Sequence, residues 1–360
     1  MSAPRGSQND LANEVGCPTS DLPLRKMSGV FSVKPASRRM ALKAGLITVA
    51  EVLTATSVPF KASARTLEKP ITRFFIPEDP TTIGPPPAQV AVHEGSITVP
   101  GGSLFYWDTR AAGPAVLLLH PLTGSAQSWP YQRPAFTEAG LRVVAFSSRG
   151  AYRSAGPPGH AVDDVKAIAD ALGISTFHVV GSAAGAFTAL RFALAYPSRV
   201  RSLTLSCSLC GVSEPSYLAL MKSIQVAAFD ALPSEVKELS ASYRAANPNG
   251  VRRWLEIEAH ARSAGTAGTA RSLSLADRAK ELASGPAFAD LARLDLPVHL
   301  LYGDADLYAP PAFGRILARQ FRRADLSIIG ETGHSAFWEQ PNVFNRAVID
   351  FIRRHTFRAG

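Results

Sequence analysis

The sequence predicts an α/β fold: a mostly parallel, doubly wound sheet with a helical lid inserted between two of its later strands. Three observations predict it. Short, almost wholly apolar runs recur along the chain, "AVLLLH" (115–120), "LRVVAFS" (141–147), "FHVVG" (177–181), "SLTLS" (202–206), "PVHLLYG" (297–303) and "LSIIG" (326–330). Strands covered on both faces lose the polar alternation of a half-exposed strand, and the helical stretches between these runs supply the two covering layers. From 211 to 296 the rhythm gives way to amphipathic patterns such as "SYLALMKSIQVAAFDAL" and "GVRRWLEIEAHARSA", without a convincing strand. A helical insertion of that size between core strands is placed to shape a pocket over the strand ends. Its aromatics Tyr217, Phe229, Tyr243, Trp254 and Phe288 are candidate pocket walls as well as candidate core.

The elements that precede the sheet read in order. Residues 1–64 form an N-terminal extension with the pattern of an address: "SRRMALK" (Ser37 to Lys43) puts paired arginines before the apolar stretch Ala44 to Phe60, which ends in "KASA". This resembles a twin-arginine export signal cleaved after Ala64, which implies the twin-arginine machinery as a partner and a periplasmic or secreted product. The stretch is too short and too interrupted by Glu51 for a stable membrane span. Residues 65–89, with "GPPPA", read as a Pro-rich strap or linker. "AQVAVHEGSITVPGGSLFYWDTR" then alternates and turns at Pro100-Gly101-Gly102, a hairpin pattern. The core is expected over 90–210 and 297–360.

Composition narrows the function. Of the net charge of +9, residues 1–64 carry +4, eight Lys/Arg against four acids, and the remainder is dispersed without a basic block interleaved with aromatics. That pattern predicts no nucleic-acid partner. No Gly-rich phosphate cradle, dinucleotide fingerprint or metal-ligand cluster is present, so neither a cofactor nor a metal is expected. Three cysteines are too few for a disulfide framework; Cys207 and Cys210 read as small buried residues or as one possible pair.

The stretch "HVVGSAAGAFTAL" (His178 to Leu190) has an apolar strand, a tight turn from Gly181 to Gly185 and a small-residue helix. This is the frame of a G-x-S-x-G nucleophile elbow with Ala183 in the serine's place. Four further segments accompany it. "LLLHPLTGSAQSW" is similar to an HG-x-x-G-S loop, with Pro121 for Gly. "VVAFSSRGAYRSAGP" is similar to D-x-R-G-x-G-x-S, keeping Arg149, Gly150 and Ser154 with Ser147 for Asp. "LLYGDADLYAPP" matches an acid loop and "GETGHSAFWEQPNVFNRAVIDFI" a final G-H loop and helix. Over Val90 to Arg354 the chain resembles the α/β-hydrolase superfamily, in its lidded haloperoxidase, epoxide hydrolase and enol-lactonase-like branch.

The resemblance implies a base His334 oriented by Asp306, and an oxyanion hole made of the backbone N–H groups of Leu122 and Ala184. The empty elbow leaves several readings open. Ser182 would be the nucleophile only in a shifted register that crowds the turn with Val180. Ser125 lies on the loop beside the oxyanion hole but reads equally as a loop cap. Cys207 and Ser208 end the next strand without a mark of activation. A water could stand where the hydroxyl is missing, or the alanine could replace the serine of an ordinary serine hydrolase. The reaction implied is hydrolysis of an ester or lactone of a small to medium apolar molecule, with a lyase, isomerase or small-molecule-binding protein as the alternative class.

Replacing Arg38 and Arg39 by Lys is expected to leave unprocessed precursor in the cytoplasm with its domain folded. Fractionation showing normal export of that double variant would remove the signal assignment.

Overall fold

The computed structural model describes residues 70–224, 228–263 and 284–356. The twin-arginine-like segment, Cys17, the cleavage position after Ala64 and part of the 211–296 insertion lie outside these residues. The strands are β1 (Ile71–Phe75), β2 (His93–Val99), β3 (Gly102–Asp108), β4 (Ala115–Leu119), β5 (Arg142–Phe146), β6 (Phe177–Ser182), β7 (Val200–Ser206), β8 (Val298–Gly303) and β9 (Ala324–Ile329). They form one sheet in the order β1-β9-β8-β7-β6-β4-β5-β3-β2. The β2–β3 and β3–β5 pairings are antiparallel, and every other pairing is parallel.

Period-two alternation divides each central strand between two cores. In β4, Leu117 and Leu119 face one layer, and Val116 and Leu118 face the other. The first layer holds α2 (Ala161–Ala171) and α3 (Ala184–Ala195), through Val165, Ile168, Leu190 and Phe192. The second holds α1 (Gln132–Glu138), through Phe136. Between β7 and β8 the described residues form α4 (Pro215–Ser223), α5 (Ser234–Glu238), α6 (Ala241–Ala246), α7 (Pro248–Ser263) and α8 (Phe288–Leu291), with no strand among them. After β8 come α9 (Pro311–Ala318), α10 (Ala336–Glu339) and α11 (Pro341–Thr356). Helix α11 lays Val343, Phe344, Val348 and Ile352 into the second core. Among the described residues no helix is long and apolar enough to cross a membrane.

The predicted strap contains a strand that its sequence concealed. β1 pairs in parallel with β9 from Ile71 opposite Asp325 to Phe75 opposite Ile329, and Arg73 meets Asp325 at 2.9 Å. Ile71 and Phe74 are exposed, so this edge strand has no continuous apolar run to reveal it.

Arg149, retained in the motif after β5, has a structural task. Its guanidinium forks onto Asp164 in the first turn of α2 (Nη2 to Oδ1 2.7 Å, Nε to Oδ2 2.9 Å) and donates through Nη1 to Pro100 O at 2.8 Å. It therefore ties the β2–β3 turn to α2 inside the protein, where both side chains are buried. Removing one partner of such a pair strands the other charge. Asp164→Asn is expected to cost about 3–5 kcal/mol in urea unfolding. A loss below about 1 kcal/mol, the range of a surface pair, would contradict this role.

Candidate active site

The elbow is built by the close crossing of α3 over the sheet. A Cβ on Gly185 would stand 2.1 Å from Leu119 O, and one on Gly181 would stand 2.5 Å from Gly185 O, so both positions exclude any side chain. The turn throws Ala183 into φ 52°, ψ −114°, outside the regions an L-residue ordinarily occupies. Such conformations cost of order 1–3 kcal/mol and persist only where neighbours over-determine them. Here the end of β7 does so: Ala183 N donates to Ser206 O at 2.9 Å, and Ser208 Oγ donates to Ala183 O at 2.8 Å. Ala184 is the first residue of α3, so its N–H belongs to the helix N-terminus and has no intrahelical acceptor.

Leu122 lies in the loop after β4, which His120 anchors. Ser148 N donates to His120 Nε2 at 3.0 Å, which leaves Nδ1 to donate to Pro121 O at 2.7 Å. The loop then closes through Gly124 N to Pro121 O at 2.9 Å. Ser125 is wholly buried. Its hydroxyl accepts from Gln127 N at 3.2 Å and its own N–H donates to Ser128 Oγ at 3.0 Å, a reciprocal cap on the next turn. Ser182 is also wholly buried, as the last residue of β6 opposite Ser206, and its hydroxyl has no hydrogen-bond partner.

The acid and the histidine meet. His334 Nδ1 lies 3.0 and 2.9 Å from the two carboxylate oxygens of Asp306. Asp306 Oδ1 is further held by the N–H groups of Tyr308 (2.8 Å) and Ala309 (3.0 Å). The Tyr308 ring lies against His334, centroid to centroid 4.4 Å, with Phe229 edge-on behind it. His334 follows β9 and Asp306 follows β8, while Ala183 follows β6, so all three stand at the C-terminal edge of the parallel strands, where such sheets carry their chemistry.

Residues 114–341 match a family model described as the alpha/beta hydrolase fold. The chain belongs to the α/β-hydrolase fold family. It is 30% identical over 273 residues to a 2-hydroxy-6-oxononadienedioate/2-hydroxy-6-oxononatrienedioate hydrolase of Burkholderia vietnamiensis, covering 69% of this chain and 90% of that one. A 2-hydroxy-6-oxo-6-phenylhexa-2,4-dienoate hydrolase of Comamonas testosteroni is 28% identical over 284 residues, 70% of this chain and 92% of that one. Among solved structures, the enol-lactonase of Burkholderia xenovorans LB400 aligns with a TM-score of 0.59 at 21% identity, covering 72% of this chain and all of the other. A thermophilic esterase of Thermogutta terrifontis, with malate bound, aligns with a TM-score of 0.60 at 23% identity, covering 73% of this chain and all of the other. The structural likenesses show the fold. The relatives' names support, at a coarse level, an enzyme with hydrolase activity.

This α/β hydrolase surrounds its histidine with acids that the sequence did not announce. Glu238, at the end of α5, and Glu339, at the end of α10, are buried beside it. Burial pulls the His334 imidazole down, but the charge and hydrogen bond of Asp306, with the charges of Glu238 and Glu339, outweigh it and lift the group to about 9. Burial pushes Glu339 up to about 7, against the hydrogen bonds from Ser240 and Gly333, and also raises Glu238. Cys207 and Cys210 are free, buried thiols that burial keeps neutral, Cys210 pushed up to about 12. Among the described residues no cluster could hold a metal ion.

Of the insertion's aromatics, Tyr217 packs edge-on to Phe288 and Phe313 in one core, and Tyr243 is buried in the other. Trp254 walls a narrow cleft with Pro121, Thr123, Gly124, Glu258 and Trp338, beside the Leu122 loop. A larger cleft, about 230 Å³, lies between Pro86, Pro87, Trp107, Trp129 and Arg133 and contains none of Ala183, Asp306 and His334.

The raised His334 fixes a sign for stability against pH. Between about 6.5 and 9 the folded state holds a proton that the unfolded state has released, so this contribution is complete below 6.5 and is lost as pH rises through 9. Unfolding free energy is expected to fall from pH 7 to pH 9, and His334→Gln to flatten that fall. An unaltered slope in the variant would refute the assignment.

Proposed function

We propose that the protein hydrolyses an activated carboxylic ester or enol lactone, with a water molecule attacking in place of the elbow serine. The observation that carries this reading is the strained elbow at Ala183 kept in register beside an intact His334–Asp306 pair. A strained backbone costs stability, and a purely structural turn has no use for it or for a His–carboxylate pair at its edge.

With Nδ1 engaged by Asp306, His334 has Nε2 available for a water in the space left by the missing hydroxyl. The neutral imidazole takes a proton from this water as its oxygen attacks the acyl carbon, and the N–H groups of Ala184 and Leu122 receive the developing oxyanion. The imidazolium, stabilised by Asp306, then returns the proton to the departing alkoxide or enolate as the C–O bond breaks. Losing a triad serine ordinarily costs several orders of magnitude, the remainder coming from the oxyanion hole and binding. A substrate with a good leaving group tolerates this loss, and an amide does not. Ser125 and Ser182 remain the candidate displaced nucleophiles, and their burial weighs against both.

A second reading follows from the relatives, which are named for 2-hydroxy-6-oxo dienoates and are matched over about nine-tenths of their length. Cleaving a C–C bond beside a ketone also needs a nucleophile at the carbonyl and an acid for the carbon leaving group. A histidine lifted to about 9 is charged at neutral pH and suited to the second duty.

Three outcomes test the proposal. Turnover of aryl esters and enol lactones should vanish in His334→Ala. The wild-type kcat/KM should climb with pH through a midpoint near 9 and level off only above it, as the neutral base accumulates. Ala183→Ser should raise esterase turnover by at least about tenfold and create sensitivity to a serine-directed phosphonate. A phosphonate adduct on Ser125 or Ser182 of the unmodified protein would replace the water mechanism. Turnover of a 2-hydroxy-6-oxo dienoate alone would select the second reading.

A further inference from the structure

The loop that carries His334 is held from the side of the helical insertion. Gly333 N donates to Glu339 Oε1 at 2.9 Å, and Ser240 N donates to Glu339 Oε2 at 2.9 Å, so one carboxylate bridges the residue before the histidine to the residue that caps α6. On the other side of the histidine, Ser335 N donates to Glu238 O at 2.9 Å and Ser335 Oγ to Glu238 Oε2 at 3.1 Å. The approach is as close as backbones allow: a Cβ on Gly333 would lie 2.7 Å from Ser240 N and 2.8 Å from Glu339 Oε1. Glu339 is fully buried and Glu238 nearly so.

We propose that Glu238 and Glu339 are positioning residues that clasp the His334 loop to residues 238–240 of the insertion, so that the insertion sets the orientation and protonation of the histidine. The proposal rests on His334 being the working base or acid of the site. The Glu339 carboxylate accepts a separate backbone N–H on each oxygen, while Glu238 takes the Ser335 N–H on its main-chain carbonyl and the Ser335 hydroxyl on its carboxylate; hydrogen bonds to a charged carboxylate are stronger than neutral ones. The same two groups place negative charge around an imidazole that already faces Asp306, which favours its charged form. The other groups facing this cluster are Tyr308, whose ring is tilted against the imidazole, the Cys207 thiol with Sγ 3.8 Å from Gly333 O, and Glu258, whose charge acts on Glu238. A displacement of the 238–240 segment, on substrate entry for example, would remove hydrogen bonds on both sides of His334 together.

The test is the titration of the His334 imidazole by nitrogen NMR in the full chain, its signal identified by its loss in His334→Gln. In the wild type it should titrate near 9. Glu238→Gln removes one charge at constant shape and should lower the midpoint by about one unit, a tenfold loss of proton affinity. Ser335→Ala breaks a single hydrogen bond of the clasp with every charge in place, and should broaden or shift the signal while the protein stays folded. Glu339→Gln turns an amide N–H toward one of the two backbone donors, and should lower kcat more than it raises KM. A His334 titration unmoved in both Glu238→Gln and Glu339→Gln would overturn the clasp. If the titration moves but the wild type turns over no ester, lactone or dienoate, the proposed function fails and the clasp stands. Should Glu238→Gln not fold, an unchanged His334 signal in folded Ser335→Ala is the refuting result.

Discussion

Two backbones pass each other at Gly181 and Gly185 with no room for a single carbon between them, and most of the site's geometry follows from that contact. The crossing brings the start of α3 down onto the carbonyl end of β4, which sets the first N–H groups of the helix beside the loop anchored by His120. It also leaves the strand-to-helix turn one path, through a residue with positive φ. The frame of the elbow is thus a consequence of sheet packing, and none of these contacts uses the side chain at position 183. Strain at the elbow is carried by the β7 end and the two glycines, so the side chain at its tip is free to vary without loss of shape.

Charge is the second organising quantity. Three carboxylates converge on one imidazole from separate parts of the chain: Asp306 from the loop after β8, Glu238 from the insertion and Glu339 from α10. Desolvation alone would deprotonate the histidine, and the acids reverse the outcome. Two other buried histidines, where burial outweighs the surrounding charges, go the other way. His178, bonded to Ser202 and Thr356, is lowered to about 4, and His299, bonded to Ser327, to about 3, chiefly by burial. Among these three buried imidazoles, burial holds His178 and His299 neutral, while the acids around His334 favour its charged form.

The central strands and the order of the motifs were legible because both depend on local pattern. A strand buried on two faces must be apolar throughout, and the turn at Gly181 to Gly185 is a run of five residues. Arg149 was recognisable as a motif member, although its bond to Asp164 fifteen residues on required the fold. β1 escaped because its partner lies near the other end of the chain and its exposed Phe74 and Ile71 look like loop residues. Glu238 and Glu339 escaped for a related reason. Each sits in an amphipathic helical pattern in which an acid reads as solvated, and only the meeting of segments about a hundred residues apart turns it inward.

The position of β1 also bears on how the chain assembles. Its hydrogen-bonding partner β9 begins some 250 residues later, so β1 has no strand to pair with until those residues have been synthesised. Loop-closure entropy rises only slowly with such a separation, and the penalty falls mainly on the rate. The remaining strands can order themselves first, with β9 temporarily exposing a row of unpaired amides to any passing chain. Docking of Ile71 to Phe75 covers that row and moves the open edge onto β1, a strand of only five residues.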